Sequence, residues 1–257
     1  MLKHWTTAFW MAWAMFLAIP CPVWRWDKAE RGRMLALLPV IGLAVGLLWA
    51  AAAWLRARYL GAIPLLGAVL VAAIPWLATG FLHLDGFLDV SDATLSCRDR
   101  EGMLRILKDP HCGSFAVLSA VLLATLQIAV FADAPRLGGR SLLALALVPV
   151  ATRAAAAFAV STFRPLGTSQ YAEAIPNALA ARASAVFFFV FATVCSLLLC
   201  GRAGAAPLAA ALAYALAAWR TDRKLGGMSG DVSGYALVLG ELVGAAVAVL
   251  GGIRPCI

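Results

Sequence analysis

The chain has 257 residues, 63% of them hydrophobic and only 13% charged, with a formal net charge of +8. A mean hydropathy of +0.88 lies far above the range of soluble globular domains and excludes one here. The composition requires a polytopic membrane protein, and its positive charge reads as topology and as affinity for lipid or phosphate, with no need to invoke nucleic acid.

Residues 5–20, WTTAFWMAWAMFLAIP, form a Trp-rich apolar run ended by Pro20 and Pro22. The run lacks a small-residue cleavage site and a clean basic flank, so it reads as a retained interfacial or partly inserted helix. Seven further runs, at about 34–55, 60–79, 113–132, 141–163, 183–200, 203–219 and 232–253, approach the ~20 residues needed to cross ~30 Å of hydrocarbon, the fifth and sixth marginally. The expected fold is all-α: a polytopic integral membrane helical bundle of about seven transmembrane helices, forming a single domain over 1–257. Fourteen Lys and Arg fall in 1–33, 80–112, 164–183 and 220–231, against six on the other side. The positive-inside bias makes those segments cytoplasmic and the C-terminus external.

The 80–112 segment, GFLHLDGFLDVSDATLSCRDREGMLRILKDPHC, is too patterned for a passive connector. On a helix, Asp89 and Asp92 lie about +40° and about −20° from Asp85, so the three carboxylates share one face. Such a cluster repels itself unless a hard divalent cation is present, and Mg²⁺ takes carboxylate oxygens together with substrate phosphates and water. A solvated helix end or an Asp N-cap is the plain alternative. Arg98, Arg100, Arg105 and Lys108 follow, suited either to a diphosphate or to topology alone.

Arg153 and Glu241 lie inside predicted spans, where an ionisable group marks function or pairs with another charge; Asp133 is a further candidate partner. The segment STFRPLGTSQYAEAI adds Arg164, Ser169 and Glu173. A second cluster over 220–233 contains KLGGMSGDVSG, whose glycines leave the backbone bare around Ser229 and Asp231, as close approach to phosphate or a fourth carboxylate would require. Six scattered cysteines with no Cys-x-x-Cys spacing read as free thiols.

The stretch TGFLHLDGFLDVSD, followed by RDRE, LRILKDPHCGSFAVL and KLGGMSGDVSG, resembles the cobalamin synthase family, also called adenosylcobinamide-GDP ribazoletransferase. The N-terminal IPCPVW and LPVIGLAVG fit as well, so the resemblance runs nearly the whole chain in order. Three positions depart from the family pattern: Gly80-Phe81 replaces the usual Gly-Gly, Ala93-Thr94-Leu95-Ser96 replaces a Gly-rich tract, and Ser229 stands where Thr is usual. These bear on loop geometry, whereas the carboxylates, Lys108 and Asp231 are intact.

The resemblance implies a multi-pass bacterial inner-membrane, Mg²⁺-dependent phosphotransferase. It would join adenosylcobinamide-GDP to α-ribazole or its 5′-phosphate, giving adenosylcobalamin or its 5′-phosphate and GMP. Asp85, Asp89 and Asp92 are then the expected metal ligands, and Asp231 a further ligand or the base. His83, Arg98, Lys108, Arg153 and Ser229 are the expected substrate contacts. The partners are these substrates and the lipid bilayer; a homo-oligomer or a complex with other cobalamin-assembly enzymes is compatible with this. A CDP-alcohol phosphatidyltransferase-like enzyme would open Asp-Gly-x-x-Ala-Arg, which is absent, a prenyltransferase-like enzyme would use similarly spaced aspartates, and a transporter would spread its charges along a midplane path. Reporter fusions after residue 95 should read cytoplasmic and fusions at the C-terminus external; both on one side would refute the seven-span topology.

Overall fold

The computed structural model describes residues 2–132, 137–167 and 175–252. Eleven α-helices account for most of them: α1 Leu2–Phe16, α2 Arg31–Ala36, α3 Leu38–Tyr59, α4 Pro64–Ala78, α5 Leu82–Leu95, α6 Arg100–Ile106, α7 Ser114–Ala132, α8 Gly139–Thr162, α9 Ala178–Leu199, α10 Ala206–Leu225 and α11 Gly230–Leu250. The all-helical reading of the sequence holds.

Among the described residues five helices (α3, α7, α8, α9 and α11) are long and apolar enough to cross a membrane, and six spans result if α4 and α5 are taken as one broken span. The expected count of seven is not reached. α4 has 15 residues, and the run at 203–219 falls in α10, whose last turns carry Arg220, Asp222, Arg223 and Lys224. Residues 220–225, read from sequence as loop, continue this helix. α1, at 15 residues, is short for a span and buries Ala8, Met11, Ala12 and Phe16 against the bundle.

α8 and α11 form the centre, and glycines let their neighbours approach. A Cβ at Gly46 of α3 would lie 2.0 Å from the Ala146 carbonyl oxygen of α8, and one at Gly42 would lie 2.4 Å from that of Pro149. On α11, a Cβ at Gly240 would lie 2.8 Å from the Ala210 carbonyl oxygen of α10, and one at Gly244 would lie 2.7 Å from a Val148 methyl of α8. Both pairs are four residues apart, the small-residue spacing by which apolar helices pack without a hydrophobic driving force between them. Between the glycines of α11 lies Glu241, and its carboxylate accepts a hydrogen bond from Arg153 Nη1 of α8 at 2.5 Å. Both side chains are buried, so the two intramembrane charges neutralise each other. The outer face of α9, with Phe187, Phe191 and Leu198, is exposed, as a lipid-facing helix requires.

α5 leaves α4 at a 92° bend, which places it off the axis of the spans. The bend is built by backbone: Phe81 N–H donates to the Trp76 carbonyl at 2.8 Å and Gly80 N–H to that of Leu77 at 3.1 Å, a Schellman closure of α4. Gly80 adopts φ +58, which glycine does freely, but the next residue, Phe81, also lies in the left-handed region at φ +62. The Gly-Gly expected from the family pattern is thus explained. This chain makes the bend with a side chain at the second position, at a cost of about 1–2 kcal/mol. Phe81 is half in solvent and has little packing to lose. Phe81→Gly should therefore stabilise the protein by about 0.5–1 kcal/mol, the strain relieved less the extra chain entropy of glycine. A thermal unfolding midpoint in detergent that is unchanged or lower would refute the strain.

Candidate active site at one end of the bundle

The three aspartates lie along α5, with Asp85 exposed and Asp89 and Asp92 half-buried. α5 crosses the start of α11 at bare backbone. A Cβ on Gly86 would lie 2.8 Å from Asp231 Cα, and one on Gly234 would lie 3.1 Å from the His83 carbonyl oxygen. Phe87 stacks on Tyr235 with ring centroids 5.4 Å apart and pins the same crossing. This contact brings Asp231, 142 residues on from Asp89 in the chain, to the three carboxylates of α5.

The electrostatics report the convergence. Burial, then the charges of Asp85, Asp231 and Asp92, push the Asp89 carboxyl up to about 6. Folding therefore crowds negative charge that the unfolded chain would keep apart. Among the described residues no three His, Cys, Asp or Glu side chains are gathered tightly enough to hold a metal ion by themselves. The cluster is a shared acidic face and not a finished cage.

Two helix starts brace it. Ser229 is the N-cap of α11: its hydroxyl accepts from Val232 N–H at 3.2 Å and lies 3.4 Å from Asp231 Oδ2, to which it donates. Asp92 Oδ1 accepts from Ala116 N–H at 3.4 Å in the first turn of α7, and its carboxylate lies over Gly113, where a Cβ would meet it at about 2.1 Å. Ser229, expected as a substrate contact, thus has a capping role, and it is buried.

The glycine turn before α11 is held by the 164–166 segment. Met228 N–H donates to the Arg164 carbonyl and Leu166 N–H to that of Met228, each at 2.8 Å, and Gly227 has no room for a side chain beside Leu166. Backbone contacts of this kind leave no side-chain signal in a sequence. Ser169, Glu173 and Asp133 lie outside the described residues.

The expected cations divide. Arg98 and Lys108 are exposed on either side of α6, in reach of an incoming anion. Arg100 is committed elsewhere: its Nε donates to the Leu225 carbonyl at 2.8 Å and its Nη2 to that of Gly226, capping the C-terminus of α10 and fastening α6 to it. Arg153 is buried in its pair with Glu241 and does not join the exposed cations. Among the described residues its Nε and Nη2 have no hydrogen-bond partner, and its charge reaches His83. Burial first, and then Arg153, push the His83 imidazole down to about 3, so it is neutral at physiological pH. His83 stacks on Phe16 of α1, and together with Asp231 and Ser233 it lines a pocket of ≈ 100 Å³ floored by Leu35, Leu38 and Ala156. The contribution of α1 to this pocket was not visible in the sequence.

The sequence is similar to known proteins along most of its length. Adenosylcobinamide-GDP ribazoletransferase of Clostridium perfringens (strain 13 / Type A) is 36% identical over 239 residues, covering 91% of this chain and 94% of that protein. The protein of the same name from Pseudomonas putida (strain W619) is 35% identical over 242 residues, covering 91% and 95%. That of Geobacillus kaustophilus (strain HTA426) is 32% identical, covering 91% and 93%. No solved structure matches. The family model described as cobalamin-5-phosphate synthase matches residues 8–249, from within α1 to the last turn of α11, and the chain belongs to that family.

Proposed function

We propose that the protein joins adenosylcobinamide-GDP to α-ribazole or α-ribazole 5′-phosphate, giving adenosylcobalamin or its 5′-phosphate and releasing GMP. This is the nucleotide loop assembly step of cobalamin synthesis, carried out at the cytoplasmic face of the bacterial inner membrane. The observation that carries the reading is the crossing of α5 on α11, which sets Asp85, Asp92 and Asp231 around Asp89 at one end of a membrane bundle. Relatives bearing the transferase name support it over most of their length.

In this reaction a ribose hydroxyl of the acceptor, other than the 5′ position that is phosphorylated in α-ribazole 5′-phosphate, attacks the phosphorus next to cobinamide and GMP departs, so charge builds on the bridging oxygen. The oxygen-only, mutually repelling donor set suits Mg²⁺, which needs few protein carboxylates when phosphates and water complete its shell. Asp85, Asp89 and Asp92 would hold it, with Asp231 a further ligand or the base. Bound there, the ion would neutralise the diphosphate. Arg98 and Lys108, both exposed at the ends of α6, would draw in and hold the phosphates. Asp231, held by Ser229 at the helix start, would take the hydroxyl proton if it is not spent on metal.

Purified protein in lipid, given adenosylcobinamide-GDP, α-ribazole and Mg²⁺, should form a cobalamin product detectable by chromatography; no product with any divalent ion would sink the reading. Asp85→Asn, Asp89→Asn and Asp92→Asn should each abolish most turnover while the folded protein stays in the membrane. Asp231→Asn separates its two roles. A raised Mg²⁺ requirement marks a ligand, and an altered acidic limb of the pH profile marks the base; no change in rate, metal affinity or profile removes it from the site. Gly113→Ala needs only the Asp92 carboxylate to shift, and should lower the rate with little loss of stability, whereas Gly86→Val must part α5 from α11 and lower both.

A further inference from the structure

A second cavity lies on the far side of the α5–α11 crossing, and it has the character of neither a phosphate site nor a core void. Its volume is ≈ 370 Å³, and it opens sideways between α5, α10 and α11. At the end of the bundle it is lined by Arg220 and Lys224 of α10, four residues apart and so on one face of the helix. Lys224 Nζ also reaches the Thr94 carbonyl of α5 at 3.4 Å. Arg220 makes no ion pair or hydrogen bond among the described residues, and it is exposed.

Away from the cations the lining turns apolar. Leu216 lies one turn below Arg220 on α10, and Leu239 and Val243 line the α11 side. Val243 is ~18 Å along α11 from Asp231 at ~1.5 Å per residue, so the groove runs well into the depth of the spans. Leu216 and Val243 are exposed apolar side chains on that wall. Two cations at the bundle end and an apolar channel leading toward the bilayer interior match one chemistry: a phosphate diester carrying a long hydrocarbon chain. Basic pockets between membrane helices bind anionic lipid headgroups by this combination.

We propose that this groove holds an anionic phospholipid, its phosphate on Arg220 and Lys224 and an acyl chain along Leu216, Leu239 and Val243. The bound lipid wedges between α10 and the end of α5, behind Tyr235, whose ring supports Phe87 at the crossing. It thereby braces the helix that carries the aspartates without touching them. This inference rests on the fold alone and stands or falls independently of the reaction.

The test is native mass spectrometry of the full-length protein released from detergent after titration with phosphatidylglycerol or with phosphatidylcholine of the same chains. Wild type should retain phosphatidylglycerol about tenfold or more tightly than phosphatidylcholine, and R220Q/K224Q should weaken phosphatidylglycerol to the phosphatidylcholine level. Val243→Trp, which fills the apolar end and leaves both cations in place, should weaken binding of both lipids, and it serves if the double variant does not fold. Equal retention of phosphatidylglycerol by wild type and the folded double variant would overturn the proposal, as would unchanged binding in Val243→Trp. Displacement of the lipid by inorganic phosphate or by GDP would overturn it as well, since the groove would then be reading phosphate alone.

Discussion

The structure turns on the contact of two helices across bare backbone. Gly86 of α5 and Gly234 of α11 each face the other helix's main chain, and any side chain there would push Asp231 or His83 away. Helices meeting this closely gain dispersion along the contact and a fixed geometry. Here that gain offsets the repulsion of the carboxylates that the contact brings together. Burial first, and then those neighbouring charges, raise the affinity of Asp89 for a proton. The bend at Gly80 and Phe81 aims α5 across the bundle, and the turn at Gly227 aims α11 at it from the other side.

Beneath this acidic face the membrane interior is held by the opposite strategy. Arg153 and Glu241 are paired at 2.5 Å between helices already fastened by Gly42, Gly46, Gly240 and Gly244. Desolvating two charges is costly, and in a soluble core such a pair is seldom a net gain over apolar residues. Its value here lies in register. A slide of α8 against α11 by a helical turn would part the Arg153–Glu241 pair, and among the described residues Arg153 Nε and Nη2 have no other partner to fall back on. That register sets the height at which α11 begins, and with it the position of Asp231.

The aspartate face was legible because helical spacing is a short-range property: Asp85, Asp89 and Asp92 share a side on any helix. The bundle was legible from hydropathy, but its spans were not all countable, since α4 is short and bent into α5 and α10 ends in charge. What could not be read was contact between distant segments through main chain. The 164–166 segment holds Met228 with two backbone hydrogen bonds, and Arg100 holds the α10 carbonyls, a role its charge alone would not distinguish from phosphate binding. Arg153 looked like a candidate phosphate clamp for the same reason: a sequence records that a charge is buried at membrane depth but not which charge faces it.

The departures from the family pattern carry a related lesson. Ser229 in place of Thr keeps the one function its position demands, a hydroxyl oxygen that accepts the Val232 N–H, so the start of α11 is unchanged. Phe81 in place of Gly does not keep its function freely, because its backbone must still enter the left-handed region. That the bend survives a bulky residue implies that the helices on either side over-determine it: α4 through its Schellman hydrogen bonds, and α5 through its seat on α11. The acidic face is thus positioned from both ends of α5. The carboxylates can stay a loose, repelling set until a cation and a diphosphate arrive to gather them, since the helices beneath already fix where they must meet.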